Sequence, residues 1–104
     1  MLETFMILEL ADIRIHAGQN TAFEEAIARG LQTVISQAQG FRGYKLNRGL
    51  ESPERYLLQI FWDCLENHTV GFRQSEAFAT WRAIVGPFFA APPVVEHFDL
   101  VTKS

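Results

Sequence analysis

Three side chains in the second half of the chain could perform acid–base and charge-stabilising chemistry. His68 carries an imidazole, which titrates near neutral pH and can act as a general base. Arg73 and Arg82 could stabilise a developing oxyanion, because a fixed cation is worth far more in a dry cavity than in water. A surface or helix-capping histidine and solvated helix-face arginines would fit the same residues. Whether these side chains form a site or lie in solvent depends on where the helices and strands place them.

Metal and thiol chemistry have weaker support in the sequence. His16 ends the predicted first strand and His97 starts the last one, so the two rings could approach each other beside Glu96. Glu96 and His97 are sequential, however, and point to opposite faces of a strand, which leaves too few convergent ligands. Cys64 has no evident neighbour that would stabilise a thiolate, and as the sole cysteine it cannot form an internal disulfide. We therefore expect no metal site and an ordinary thiol.

Two helical regions are predicted to position these residues. The start of the first is marked by Thr21 and Glu24, which have the spacing of a capping box. Gly40 is expected to end this helical region. The second covers roughly residues 65–85 and is expected to break near Ser75, which can cap a new helix. Four strands are predicted beside these two helices, in the order βαββαβ. This order predicts an α+β, ferredoxin-like fold with an antiparallel sheet.

Two of the predicted strands are apolar on both of their alternating faces. In the first strand, one side carries Phe5, Ile7, Ala11, Ile13 and Ile15, and the other carries Met6, Leu8 and Leu10. The third strand, Arg55–Asp63, repeats this with Tyr56, Leu58, Ile60 and Trp62 on one side. The strand Phe41–Gly49 is polar and suits a sheet edge. Two helices cover one face only, so we expect a second copy of the chain to cover the other.

The composition excludes several classes of protein. A chain of 104 residues with 48% hydrophobic and 20% charged residues predicts one packed domain over residues 1–104. A net charge of -3 with scattered Arg and Lys argues against nucleic acid as a partner. The longest apolar run, residues 83–95, is broken by Gly and Pro and is too short to span a membrane. Residues 1–5 lack the basic region that opens a secretory signal, so a cytoplasmic location is expected.

Short motifs carry a resemblance to a known family. They are Phe61-Trp62-Asp63, Phe72-Arg73-Gln74-Ser75, Phe78, Trp81-Arg82, Pro87-Phe88-Phe89 and Val95-Glu96-His97-Phe98. With Gly18 and Gly40-Phe41, they resemble the antibiotic biosynthesis monooxygenase family over nearly the whole chain. The resemblance implies a dimeric α+β barrel in which two ferredoxin-like sheets pack face to face. It also implies a pocket between the sheet and the helices of each subunit.

The activities found in that family differ in their site residues. Its members include oxygenases that oxidise phenolic or quinol substrates without metal or flavin, haem-degrading enzymes and a signal-processing isomerase. The haem-degrading members use a His about seven residues after the Ser of the second helical region, where this chain has Arg82, and an Asn in the first strand, which it lacks. Many relatives also carry a His where this chain has Phe72. Haem degradation is therefore disfavoured, and His68, about one helical turn earlier, is the available imidazole.

The resemblance implies that the Trp62 ring forms part of the pocket wall against an aromatic substrate. Its indole N–H would then orient a substrate oxygen. Since Trp62 shares a side with Leu58 and Ile60, the residue pattern favours a core tryptophan, and the two roles are compatible. Phe72 and Trp81 are expected to shape the same cavity. Trp81 also fits the buried stripe of the second helix.

These observations lead to a functional hypothesis. The resemblance implies a homodimeric monooxygenase that needs no cofactor and oxidises a small aromatic or quinol-type substrate with dioxygen. His68 would be the base, Arg82 the oxyanion-stabilising cation, and Trp62, Phe72 and Trp81 the substrate-binding residues. The alternatives are a non-catalytic small-ligand-binding or stress-related dimer, which a wholly apolar cavity would favour, and an isomerase with inward-facing cations.

Overall fold

A four-stranded antiparallel sheet organises the residues that the computed structural model describes, 6–104. Its strands are β1 (Ile7–Arg14), β2 (Phe41–Arg48), β3 (Arg55–Trp62) and β4 (Val94–Asp99), in the spatial order β2-β3-β1-β4. The α+β, ferredoxin-like prediction is confirmed, and the polar strand β2 lies at an edge as expected. Phe5, which was predicted to begin the first strand, lies outside the described residues.

Helical segments cover one face of this sheet. The helices are α1 (Asn20–Thr33) and α2 (Glu76–Val85), with short 3-10 turns at Ile35–Gln37 and Gly86–Phe88. Between β3 and α2 the chain forms a π-helical turn, Asn67–Phe72. No helix of residues 6–104 is long and apolar enough to cross a membrane.

The predicted capping box at the start of α1 is wrong. The helix begins one residue earlier, at Asn20, and its N-cap Gln19 makes no side-chain capping bond. Glu24 instead turns toward the sheet, where its Oε2 accepts hydrogen bonds from Tyr56 Oη at 2.6 Å and Arg48 Nη1 at 2.8 Å. Two strong donors outside the helix therefore outcompete the local backbone N–H.

The predicted break in the second helical region is confirmed. Ser75 has an extended backbone conformation (φ −98°, ψ 162°) and is the N-cap residue of α2. Its Oγ donates to the carbonyl oxygen of Phe72 at 2.6 Å and so closes the π-helical turn rather than capping α2. The two segments thus meet at a sharp corner beside the site described below.

The two faces of the sheet differ in burial. The helix-covered face is the core, and its fully buried side chains include Ile13, Tyr56, Leu58, Ile60 and Trp62 packed on Phe23, Ile27 and Leu31 of α1. On the other, open face Leu8 lies between Phe61 of β3 and Phe98 of β4. Phe98 is 43% exposed and Val94 is 62% exposed. The open face therefore carries large apolar side chains that no element of the described residues covers.

Candidate active site

A carboxylate lies on the core face of β1. Side-chain alternation places Glu9 between Ile7 and Ala11, and its side chain is only 6% exposed. Trp62 Nε1 donates a hydrogen bond of 2.9 Å to Glu9 Oε1. Burial raises the pKa of Glu9 to about 7, although the Trp62 hydrogen bond and the charge of Arg73 both lower it. Glu9 is thus poised to gain and lose a proton near neutral pH.

His68, from the π-helical turn, covers this carboxylate. Its Nε2 lies 3.4 Å from Glu9 Oε1, and its ring stacks on Trp62 with centroids 5.5 Å apart. The imidazole is only 3% exposed. Burial, followed by the positive charges of Arg73 and His97, lowers the pKa of His68 to about 4. His68 is therefore neutral at pH 7, so its 3.4 Å contact with Glu9 joins an imidazole to a carboxyl group and is not an ion pair.

His97 completes a chain of three titratable groups. It faces Glu9 across the β1–β4 pairing, and its Nε2 lies 2.8 Å from His68 Nδ1. Burial, together with the charge of Arg73, lowers the pKa of His97 as well. The groups Glu9, His68 and His97 are called the proton chain below. Their polar atoms face one another rather than a common point, and no three ligating side chains of residues 6–104 form a metal site.

The possible approach of His16 to His97 does not occur in the structure. His16 lies just beyond the far end of β1, where its backbone N–H donates to the Phe88 carbonyl at 3.1 Å. The β1–β4 register instead sets His97 opposite Glu9 and sends Glu96 to the open face. The register of the strands cannot be read from the sequence. It determines which histidine reaches the site.

The π-helical turn is held in place from its first residue. Asn67 Oδ1 accepts a hydrogen bond from the backbone N–H of Cys64 at 3.1 Å. Its amide group packs directly on Gly40, whose φ of +85° and lack of a Cβ permit the contact. Gly40 also accepts a hydrogen bond from the N–H of Asp63 at 2.8 Å. These contacts fix the position of His68, which follows Asn67 directly.

A groove of about 1270 Å³ opens above the proton chain, between the sheet, α2 and residues 86–93. Glu9 and His68 line it, and so do Arg73 and Arg82. Its apolar lining comes from Phe78, Pro87, Phe89, Pro92, Pro93 and Val95. The Arg82 guanidinium lies 5.9 Å from the centre of the Phe78 ring, within cation–π range. The groove thus combines aromatic walls with an acid, an imidazole and two cations.

The two arginines of the groove have no carboxylate partner among residues 6–104. Four other arginines form ion pairs: Arg14 and Arg55 with Asp12, Arg42 with Asp63, and Arg48 with Glu24. The charge of Arg73 acts on the whole proton chain, since it lowers the pKa of Glu9, of His68 and of His97. The groove therefore carries two exposed arginines without an ion-pair partner, and Glu9 is the acidic residue that lines it with them.

The sequence-predicted site residues separate into two groups. His68 and Arg82 both line the groove, but His68 is buried whereas Arg82 is an exposed side chain of α2. Phe72 is buried between Trp62 and Phe78, with ring centres 6.1 and 5.7 Å away, and lines a separate cavity of about 250 Å³.

Neither tryptophan is among the residues that line the groove. Trp62 is fully buried beneath His68, and its N–H, which was expected to orient a substrate oxygen, is bonded to Glu9. Trp81 faces α1, where a Cβ added at Gly30 would lie 2.9 Å from its ring. The helix stripe that holds Trp81 therefore belongs to the contact between α1 and α2.

Sequence reasoning missed Glu9 and the partner role of His97. A signal for Glu9 was present, because the alternation that places Ile7, Ala11 and Ile13 on the core face also places Glu9 there. A charged residue on a buried face is seldom retained without a partner. His97 gave no comparable signal, since its pairing depends on register.

Comparisons with known proteins agree with this architecture. The family model described as antibiotic biosynthesis monooxygenase matches residues 6–84. The uncharacterised protein YczJ of Bacillus subtilis is 37% identical over 94 residues, which cover 90% of this chain and 98% of YczJ.

Solved structures give the same result. A Bordetella bronchiseptica protein, provisionally described as an antibiotic biosynthesis monooxygenase, is 40% identical with a TM-score of 0.89, and the match covers 94% of this chain and 99% of that one. A Caulobacter crescentus protein with the same provisional description has a TM-score of 0.79 at 21% identity, with 95% and 92% of the two chains covered, and shares the fold.

Proposed function

We propose that this chain, which belongs to the antibiotic biosynthesis monooxygenase family, oxidises a small phenolic or quinol-type aromatic with dioxygen and without a cofactor. The observation that supports this proposal is the proton chain at the floor of an aromatic-walled groove. A flat apolar substrate would fit against Phe78 and Phe89. Its hydroxyl could then meet an ionisable group that changes protonation state near neutral pH.

The proposed reaction begins with loss of the substrate's hydroxyl proton to the site. The phenolate passes one electron to dioxygen, giving a substrate radical and superoxide. These combine through a new C–O bond at a ring carbon, and protonation gives a hydroperoxide. Loss of the ring hydrogen as a proton, with cleavage of the O–O bond, releases water and leaves a quinone carbonyl. One oxygen atom enters the product and the other leaves as water.

The protein's contribution would be orientation and charge stabilisation. Arg82 and Arg73 would hold the phenolate and the developing superoxide, because neither cation has a carboxylate partner among the described residues. His68 would stand on the path of the departing proton. Trp62 would act indirectly as a positioning residue, because its N–H donates a hydrogen bond that holds Glu9 in place.

The lining of the groove favours catalysis over simple ligand binding. An apolar cavity alone would suffice for a non-catalytic binding protein. Here Glu9 and His68 are buried at the floor, and burying such groups costs stability unless they are paired. A function in proton transfer gives a reason for keeping them there.

The test is oxygen uptake with a panel of hydroquinones, dihydroxynaphthalenes and anthrones, compared with the rate without protein. His68→Ala should lower kcat by about 100-fold, which is the usual contribution of a positioned acid or base. Arg82→Gln should lower kcat by about 10-fold or more through lost oxyanion stabilisation. His16→Ala, which changes an exposed histidine that does not line the groove, serves as the matched control. Unchanged turnover in His68→Ala would refute the proposed role of that residue.

A further inference from the structure

We propose that Glu9 accepts the substrate's proton and that His68 and His97 carry it from the groove to solvent. This inference rests on the proposed oxidation, because it names the group that starts that reaction. It also makes a claim about the resting protein that needs no substrate to be tested.

The two oxygens of Glu9 have different surroundings. Oε1 accepts from Trp62 Nε1 at 2.9 Å and lies 3.4 Å from His68 Nε2. Oε2 accepts no hydrogen bond from residues 6–104, yet no fully buried side-chain oxygen of the described residues lacks a partner. Oε2 must therefore reach open space, and Glu9 lines the groove. A hydroxyl in the groove has this oxygen as its free acceptor.

His68 cannot take that proton directly, because both of its ring nitrogens face other groups. Nε2 faces Glu9 and Nδ1 contacts His97 Nε2 at 2.8 Å. An imidazole in this position can receive a proton on one nitrogen and release one from the other. His68 is therefore an intermediate member of the chain and not the group that meets the substrate.

The distances of 3.4 Å between Glu9 and His68 and of 2.8 Å between His68 and His97 allow two arrangements that differ by one proton. A proton taken up on Oε2 reaches His68 when the carboxyl group of Glu9 turns and exchanges its two oxygens. With Glu9 protonated in this position, its O–H donates to His68 Nε2, and His68 Nδ1–H donates to His97 Nε2. With Glu9 ionised, His68 Nε2–H donates to Glu9, and His97 Nε2–H donates to His68 Nδ1. The change from the first to the second releases a proton from His97 Nδ1 and switches the tautomer of both rings. His97 is only half-buried, so the proton can leave to solvent.

The charges around Glu9 balance this exchange. From its own sheet, Trp62 of β3 donates to Glu9 and His97 of β4 lies opposite it. Above it, His68 is neutral, and Arg73 and Arg82 add positive charge at the groove. Burial opposes these effects and raises the pKa of Glu9 to about 7. A group balanced in this way both accepts and releases a proton near neutral pH.

The first experiment is ¹⁵N NMR of histidine-labelled protein between pH 5 and 9, without substrate. His68 and His97 should both change from the Nδ1–H to the Nε2–H tautomer with one common midpoint near pH 7. In Glu9→Gln that shared transition should vanish, while Glu25→Gln, an exposed control on α1, should retain it. Tautomers that stay constant in the wild type, or that switch equally in Glu9→Gln, would overturn the inference.

The second experiment separates this inference from the proposed function. With a substrate from the quinol panel, kcat of the wild type should fall at low pH with a midpoint near 7. Glu9→Gln should lose about 100-fold or more in kcat together with that midpoint. A Glu9→Gln variant that keeps the wild-type rate and pH profile overturns the role of Glu9 and leaves the oxygenase proposal standing. A tautomer switch without oxidation of any panel member overturns the oxygenase proposal instead.

Discussion

Glu9 makes the stability of the protein depend on pH. Its pKa rises from the usual 4.5 to about 7 on folding, so the folded state binds more protons than the unfolded state between these values. This contribution to stability is fully present below pH 4.5 and is lost as the pH rises through 7. The pKa of His68 falls from 6.5 to about 4, so its contribution has the opposite sign and is lost as the pH falls from 6.5 through 4. The two effects oppose each other between pH 4.5 and 6.5.

Removing the charge of Glu9 should expose that dependence. We expect Glu9→Gln to gain stability relative to the wild type as the pH rises from 4.5 to 8, by up to about 3 kcal/mol. The reason is that Gln never ionises in the buried site. Urea unfolding at pH 5 and pH 8 measures the difference. Glu25→Gln should show no such change, and an equal pH dependence in wild type and Glu9→Gln would contradict the assignment.

At the scale of elements, the π-helical turn Asn67–Phe72 decides where His68 lies. The turn begins at Asn67, whose side chain packs on Gly40 at the start of β2 and is bonded to Cys64. It ends where Ser75 closes the corner before α2. An ordinary α-helix through this region would rotate His68 relative to Glu9, since the π geometry adds a residue to the turn.

Gly40→Ala should disturb both stability and the site. An Ala at φ +85° costs about 1–2 kcal/mol, and its Cβ would also collide with Asn67. Gly18→Ala is the matched control, because Gly18 has φ +80° with nothing within 4 Å of an added Cβ. Gly40→Ala should therefore lose about 1–3 kcal/mol more than Gly18→Ala in urea unfolding. The ¹⁵N signals of His68 should shift only in Gly40→Ala. Equal losses would show that the Asn67 contact does not restrain the turn.

For the molecule as a whole, the uncovered face of the sheet carries the expectation of a homodimer. Phe61, Leu8 and Phe98 form an apolar row across β3, β1 and β4. A neighbouring row is mostly polar, with Gln59 and Glu96 on either side of Leu10. A second copy packing on the apolar row would remove it from water, which is the dominant driving force for association.

Phe61→Asp should prevent the proposed dimer from forming. A carboxylate in the middle of the apolar row would have to be buried without a partner. Sedimentation equilibrium should then give the mass of one chain for the variant and of two chains for the wild type. Leu50→Asp places the same charge on a leucine that is 91% exposed in the β2–β3 turn and should stay dimeric. A wild-type monomer, or a dimeric Phe61→Asp, would refute this use of the open face.

The sequence by itself determined the order and type of the elements, because they depend on patterns among neighbouring residues. Alternation predicted the strands, the spacing of apolar residues predicted α1, and Ser75 marked the break before α2. The polar composition of β2 placed it at an edge. Residue motifs identified the family, and the residue type of His68 marked it as a candidate for proton transfer.

The tertiary structure alone decided how the site is assembled. Glu9 and His97 meet through strand register, and His68 reaches them through a π-helical turn seated on Gly40. The N–H of Trp62 is bonded to Glu9, and Trp81 packs against α1. These relations join residues far apart in the chain, so they depend on long-range packing and competing hydrogen bonds. No local pattern encodes which distant partner a side chain will meet.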